Sequence, residues 1–265
     1  MRSIWKGAIS FGLIHIPVRL YTASRSRELK FKMLHKKDLS EIRYVRVCKA
    51  DGKEVPWEDI VKGYEYSDGD YVVLTEEDFE QANLKKTRSI EILDFTDENQ
   101  IDTMYYETPY YLEPEKGAVN AYILLREALK RSKKVAVGHF VFRHHEHLGV
   151  IKPHDNILVL NQLRYESEIV NPKGLNIPEK STPSKKEIDI ALELIDQLTT
   201  PFDPEAYSDT YTDEVKAIIE QRAKGHRVKV KKGEVPKSPK VQDIMSLLKG
   251  SLEQHKKKTK KRRAA

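Results

Sequence analysis

The sequence predicts a mainly β fold with α-helices, and three observations carry that expectation. Apolar residues alternate with polar ones in several short runs, which is the period of a strand with one wet face. Four longer stretches repeat apolar residues at helical spacing instead. Clusters of Gly, Pro, Asn and Asp separate these segments. A chain of 265 residues makes one large domain or a domain with appendages.

The chain opens on IWKGAISFGLIHIPVRLY, residues 4–21. Ile9, Phe11 and Leu13 are apolar at odd positions, and Ile14, Ile16, Val18 and Leu20 at even ones. A parity flip beside Gly12 means that the chain bends or bulges there, so that both halves face one core, the plain alternative being an N-terminal hairpin of an antiparallel fold. Residues 27–33 alternate Leu29, Phe31 and Met33 with Lys30 and Lys32, which predicts a strand with one apolar and one basic face. Ile42, Tyr44 and Val45 lead into a second short strand, and residues 48–52 form a turn.

Residues 64–74 read as a hairpin about Asp68-Gly69. Thr75 then caps a short helix, with Asp78 at the capping-box position. Strands follow at 89–95 and within 101–112, where Tyr105, Tyr106, Tyr110 and Tyr111 belong to core or interface packing. Over 117–131, Ala118, Ala121, Tyr122, Leu125, Ala128 and Leu129 form one helical stripe. Strands are expected at 135–142, 148–151 and 157–163, the last two joined by a Pro-His-Asp-Asn turn.

A connector rich in proline leads to Ser184 and Glu187, a capping box that opens a helix to about Leu198. Its stripe is Ile188, Ala191, Leu192, Ile195 and Leu198. A further helix carries Val215, Ile218, Ile219 and Ala223 and ends at Gly225. Residues 241–253 then place Val241, Ile244, Met245, Leu248 and Leu252 on one face of a short amphipathic helix.

Charge is unevenly shared. Residues 224–265 hold 15 basic groups against three acids, a net +12, while residues 1–223 carry a net −6. A basic tail on a mildly acidic body points to a polyanionic partner. The run Lys256, Lys257, Lys258, Lys260, Lys261, Arg262 and Arg263 acts on such a partner only electrostatically. Within the body the densest basic patch is Arg25, Arg27, Lys30, Lys32, Lys36, Lys37, Arg43 and Arg46.

Other chemistries find little support. The sequence has no P-loop, dinucleotide fingerprint, H-E-x-x-H or G-x-S-x-G, so a non-catalytic protein is expected. Carboxylates brought together from separate elements to make a two-metal nuclease would leave no such motif. Cys48 is the single cysteine, so a disulfide framework is impossible. His144, His145 and His147 with Glu146 read as a polar hairpin end rather than a metal cage. With no apolar run long enough to span a bilayer and no signal-peptide pattern after Met1, a soluble intracellular chain is expected.

WKGAISFGL followed by IPVRLY resembles the opening of the prokaryotic Ku proteins. EDIVKGYEY, YVVLTEEDF, AYILLREAL, ELIDQLT and the YSDTYTDEV region resemble the same family, densely over residues 1 to about 223 and more loosely over 236–253. The resemblance implies a β-barrel core over 1–183 with an inserted bridge at about 25–65, a helical arm over 184–223, and a basic, largely flexible tail over 224–265.

It also implies a homodimer closing a ring around double-stranded DNA ends in non-homologous end joining, with no cofactor and in the bacterial cytoplasm at the nucleoid. Arg25 to Arg46 is then the candidate bridge contact, and residues 241–253 the segment that engages an ATP-dependent DNA ligase. Many relatives carry paired cysteines, resembling a zinc ribbon, around the turn at Cys48. Asp38 and Asp51 stand at those positions here, and with His35 and Cys48 as the remaining donors no metal is expected. A metal-dependent nuclease and a general nucleoid or RNA-binding protein are the alternatives.

Overall fold

The computed structural model describes residues 1–83, 88–143, 145–177, 183–225 and 250. Its contacts separate two compact units, Met1–Pro172 and Lys173–Ala265.

The first unit is built on a closed seven-stranded barrel. Strands β1 (Trp5–Phe11) and β2 (Ile14–Thr22) form its opening hairpin. The two-residue loop at Gly12 and Leu13 explains the parity flip: it sets odd position 9 opposite even position 16, so Ile9 and Ile16 face the same core. Gly12 takes φ 55°, a left-handed conformation that glycine adopts without a side-chain clash. Leu13, at the tip, is fully exposed.

From β2 the chain leaves the barrel. Within this excursion β3 (Lys62–Ser67) and β4 (Asp70–Leu74) form a separate hairpin, followed by α1 (Glu76–Asn83). The Thr75 amide donates to Asp78 at 2.8 Å, and the Asp78 amide to Thr75 at 3.3 Å, which completes the expected box. The alternation over 27–33 does not become a strand, nor does 42–45. Backbone pairing there is limited to single bridges, Leu34 with Glu41 and Val47 with Glu54. Alternation decides which face a strand would wet, but a strand also needs a ladder partner. Without one, Phe31 and Met33 stay exposed.

The barrel resumes with β5 (Ser89–Asp97), which pairs in parallel with β1 through Ala8 and Ser89. Next come β6 (Tyr106–Pro114), α2 (Val119–Ser132), β7 (Lys134–Phe142), β8 (His145–His154) and β9 (Ile157–Leu163). β8 is longer than the four residues expected from its pattern, because its residues 145–151 pair with β7 and its residues 148–154 with β9. β9 pairs back to β6, and β6 to β2, which closes the ring of strands.

The core fills the barrel and the seam beneath α2. Ile9, Ile16, Val18, Leu20, Ile90, Leu112, Phe140, Ile151, Leu158 and Leu160 are buried within it. Tyr122, Leu125 and Leu129 bring the stripe of α2 onto the same cluster. Of the tyrosines of β6, Tyr110 is buried, and it meets Phe142 edge to face with ring centres 5.9 Å apart.

In the second unit, α3 (Lys185–Leu198) begins at the Ser184–Glu187 capping box. α4 (Thr210–Ala223) is capped by Asp209 and ends before Gly225, whose φ is 78°. Ile188, Leu192, Ile195 and Leu198 on the stripe of α3 are all exposed. The amphipathic segment at 241–253 falls outside the described residues except for Gly250.

Candidate nucleic-acid interface

Every cation of the patch at 25–46 is exposed. The eight stand against three acids, Glu28, Asp38 and Glu41, a net +5. Their neighbours divide them. Lys32 is paired with Glu41. Arg43 lies 3.8 Å from Glu54, and the Arg46 guanidinium sits 4.4 Å from the centre of the Trp57 ring. Arg25, Arg27, Lys30, Lys36 and Lys37 have no side-chain partner among the described residues. Those five are therefore free to meet phosphate without first giving up a protein partner. Lys256 to Arg263 of the tail lie outside the described residues.

The structure adds Lys49 to the set. It stands on the exposed turn after Cys48, where Lys36 stands on the turn after His35. The signal was present in the sequence as His-Lys-Lys-Asp against Cys-Lys-Ala-Asp, 13 residues apart.

The same excursion exposes a large apolar surface. Phe31 (71 % exposed), Leu39 (70 %), Tyr44 (73 %) and Trp57 (70 %) lie among the cations. Tyr64, Tyr66, Tyr71 and Val73 on the β3–β4 hairpin are also exposed. Apolar surface on this scale marks an interaction site more often than a free monomer face.

A groove of about 640 Å³ beside α2 is lined by Phe11, Ile14, Phe95, Leu124 and other apolar side chains, with Ser132 and Lys134 as its polar members. It holds no nucleophile–base pair and no carboxylate. At the β7–β8 hairpin end, His147 lies over Phe140 and its Nε2 is 3.3 Å from the Phe142 carbonyl oxygen. The His139 ring nitrogen is 3.8 Å from Glu146. Among the described residues no three histidines, cysteines or carboxylates converge as a metal site.

Residues 10–190 match the family model described as the Ku70/Ku80 β-barrel domain. The match covers the barrel and its basic excursion together, and it defines the class: a Ku-type β-barrel protein. A protein from Opitutus terrae is 45 % identical over 223 residues, which cover 84 % of this chain and 80 % of the relative. A Coxiella burnetii protein is 38 % identical over 266 residues, covering 98 % and 97 %, and one from Pseudomonas aeruginosa is 39 % identical over 257, covering 95 % and 88 %. Each of the three is named a non-homologous end joining protein Ku. The chain belongs to the Ku family.

Proposed function

We propose that this chain binds the ends of double-stranded DNA, independently of sequence, as a homodimer closed into a ring, and that it acts in non-homologous end joining without catalysing a reaction. The observation that carries the reading is the near full-length similarity to relatives named for end joining. The exposed cations of the excursion support it, because lysine and arginine grip phosphates without reading base edges. The apolar residues exposed between them give a second copy of the chain something to cover. A closed ring is threaded only from an end, so shape selects broken DNA and charge supplies the grip. The net negative charge of residues 1–223 discourages side-on binding.

In this reading Arg25, Arg27, Lys30, Lys32, Lys36, Lys37, Arg43 and Arg46 contact the duplex. The basic tail, Lys256 to Arg263, adds salt-sensitive grip. Val241, Ile244, Met245, Leu248 and Leu252 dock on an ATP-dependent end-joining ligase, as an amphipathic helix enters a groove. The domains of the proposal are a barrel with its bridge over 1–183, an arm over 184–223 and a tail over 224–265.

The test compares linear DNA with covalently closed DNA of equal length. Strong preference for the linear form, and retention of protein when both ends are blocked after loading, supports the ring. Equal affinity for closed circles refutes it in favour of general nucleoid binding. Degradation of ends in magnesium, abolished by mutating a carboxylate cluster, refutes it in favour of a nuclease. Truncation at Lys224 weakens salt-sensitive binding and leaves end preference intact; loss of that preference with the tail contradicts the division of roles.

A further inference from the structure

The excursion that leaves the barrel after β2 contains a structural duplication. The bridge between Leu34 and Glu41 recurs as the bridge between Val47 and Glu54. The His35 amide donates to the Ser40 carbonyl at 2.8 Å, and the Cys48 amide to the Lys53 carbonyl at 2.9 Å. The Leu39 amide donates to the His35 carbonyl at 2.8 Å, and the Gly52 amide to the Cys48 carbonyl at 3.0 Å. The Ile42 amide reaches the Met33 carbonyl at 3.1 Å, and the Val55 amide the Arg46 carbonyl at 2.8 Å. Leu39 and Gly52, one residue after Asp38 and Asp51, both have positive φ, 59° and 70°. Each feature of the first turn thus reappears 13 residues later.

A tight turn with donor side chains at its first and fourth positions is the unit from which two-knuckle metal sites are made. The donors here are His35 with Asp38 and Cys48 with Asp51. In a metal site both donors of a turn give their lone pairs to the ion. In this chain they are engaged with each other and with their own turn. His35 Nδ1 lies 3.1 Å from the Asp38 carboxylate, which also accepts from the Ser40 amide at 3.1 Å and the Ser40 hydroxyl at 2.8 Å. The Asp51 carboxylate accepts from the Lys53 amide at 3.2 Å, and that amide and then the Cys48 thiol hold its carboxyl below the ordinary range. Two of the four are carboxylates where a structural zinc site has cysteine or histidine, and no three of them converge.

We infer that residues 34–41 and 47–54 are a duplicated knuckle closed by carboxylates in place of a metal ion, Asp38 closing the first turn and Asp51 the second. Hydrogen bonds from Ser40 to Asp38, and from Lys53 and Cys48 to Asp51, hold both carboxyls below their ordinary range, so both are charged acceptors at neutral pH. Leu39 supports the assignment from another side. A left-handed backbone is strained for a residue with a β-carbon, and the turn keeps that backbone where glycine fills the equivalent place in its twin. The cations on the tips, Lys36, Lys37 and Lys49, are therefore presented by a scaffold that needs no metal. The inference stands whether or not the chain encircles DNA.

The experiment is hydrogen exchange by mass spectrometry on the full chain, following peptides that cover 33–43 and 46–56. Wild type is measured alone, with EDTA and with added zinc, beside Asp38→Ala and Asp51→Ala, and zinc content is read from the intact native mass. The expected result is several-fold faster exchange in the substituted turn of each variant, no change in barrel peptides, and no response of wild type to chelator or zinc. Stoichiometric zinc in the purified chain, or acceleration of both wild-type turns by EDTA, overturns the inference. So do Asp→Ala variants whose turns exchange as slowly as wild type.

Discussion

The hydroxyl of Tyr122 donates to the main-chain oxygen of Leu112 at 2.7 Å and accepts from the amide of Leu158 at 2.6 Å. Leu112 and Leu158 face each other across β6 and β9, so one buried hydroxyl from α2 bridges two strands of the barrel. Burial holds this phenol above its ordinary range, and the group stays neutral as both donor and acceptor. Tyr122→Phe leaves a buried donor and acceptor unpaired. The expected cost is about 1–3 kcal/mol, read from denaturant midpoints. A variant as stable as wild type contradicts a stabilising role for this bridge.

β5 and β7 approach closely where β5 is irregular between Ile92 and Asp94. A β-carbon added at Gly138 falls 2.0 Å from the Glu91 carbonyl oxygen, a backbone atom that cannot swing aside. Gly138→Ala is expected to destabilise the barrel by about 1–3 kcal/mol or more, seen as a lower melting temperature. Gly174→Ala is the matched control: its added carbon meets nothing within 4 Å, and its expected effect is within about 0.5 kcal/mol.

Partners on the protein rank the candidate DNA contacts. Lys36 and Lys37 have no side-chain partner among the described residues, whereas Lys32 is paired with Glu41. Replacing Lys36 and Lys37 by Gln is expected to reduce the slope of log affinity against log salt by about 0.9 for each phosphate that is no longer neutralised. Lys32→Gln is expected to change the slope less. Filter-binding or anisotropy titrations over a salt series read both, and equal slopes for all three proteins remove these lysines from the interface.

The N-cap of α4 is expected to be acid-sensitive. The Thr212 hydroxyl, and then the Thr212 amide at 3.0 Å, hold the Asp209 carboxyl below its ordinary range. A carboxyl with a depressed folded pKa contributes stability above its unfolded pKa and loses it as pH falls through the folded value. Fraying of the first turn is therefore expected only below about pH 4, the unperturbed carboxylate range. The Thr212 amide shift, followed by NMR, reports it. Asp209→Ala is expected to fray the same turn at neutral pH, and an unchanged Thr212 signal in that variant rejects the cap.

Where structure depends on neighbours in the chain, the residues announce it. Ser184 with Glu187 and Thr75 with Asp78 are local hydrogen-bond exchanges, and both formed as read. The stripe of Tyr122, Leu125 and Leu129 is likewise a property of one helix. Of the candidate interface, the positions of the cations were legible, but not which of them the protein already engages. Lys32, Arg43 and Arg46 acquire their partners only when residues 41, 54 and 57 fold against them.

By itself, then, the sequence determined which residues of the barrel strands and of α2 share a buried face, where α1 and α3 begin, where the chain turns and where positive charge gathers. Each of these follows from the side-chain period and from hydrogen bonds within a few residues. Tertiary structure alone decided that β1 meets β5 in parallel to close the barrel, that Tyr122 bridges β6 to β9, and that residues 27–33 remain without a ladder. The reason is physical: alternation fixes the side a residue faces, but a strand exists only beside another, and which segment lies beside it depends on how the whole chain closes.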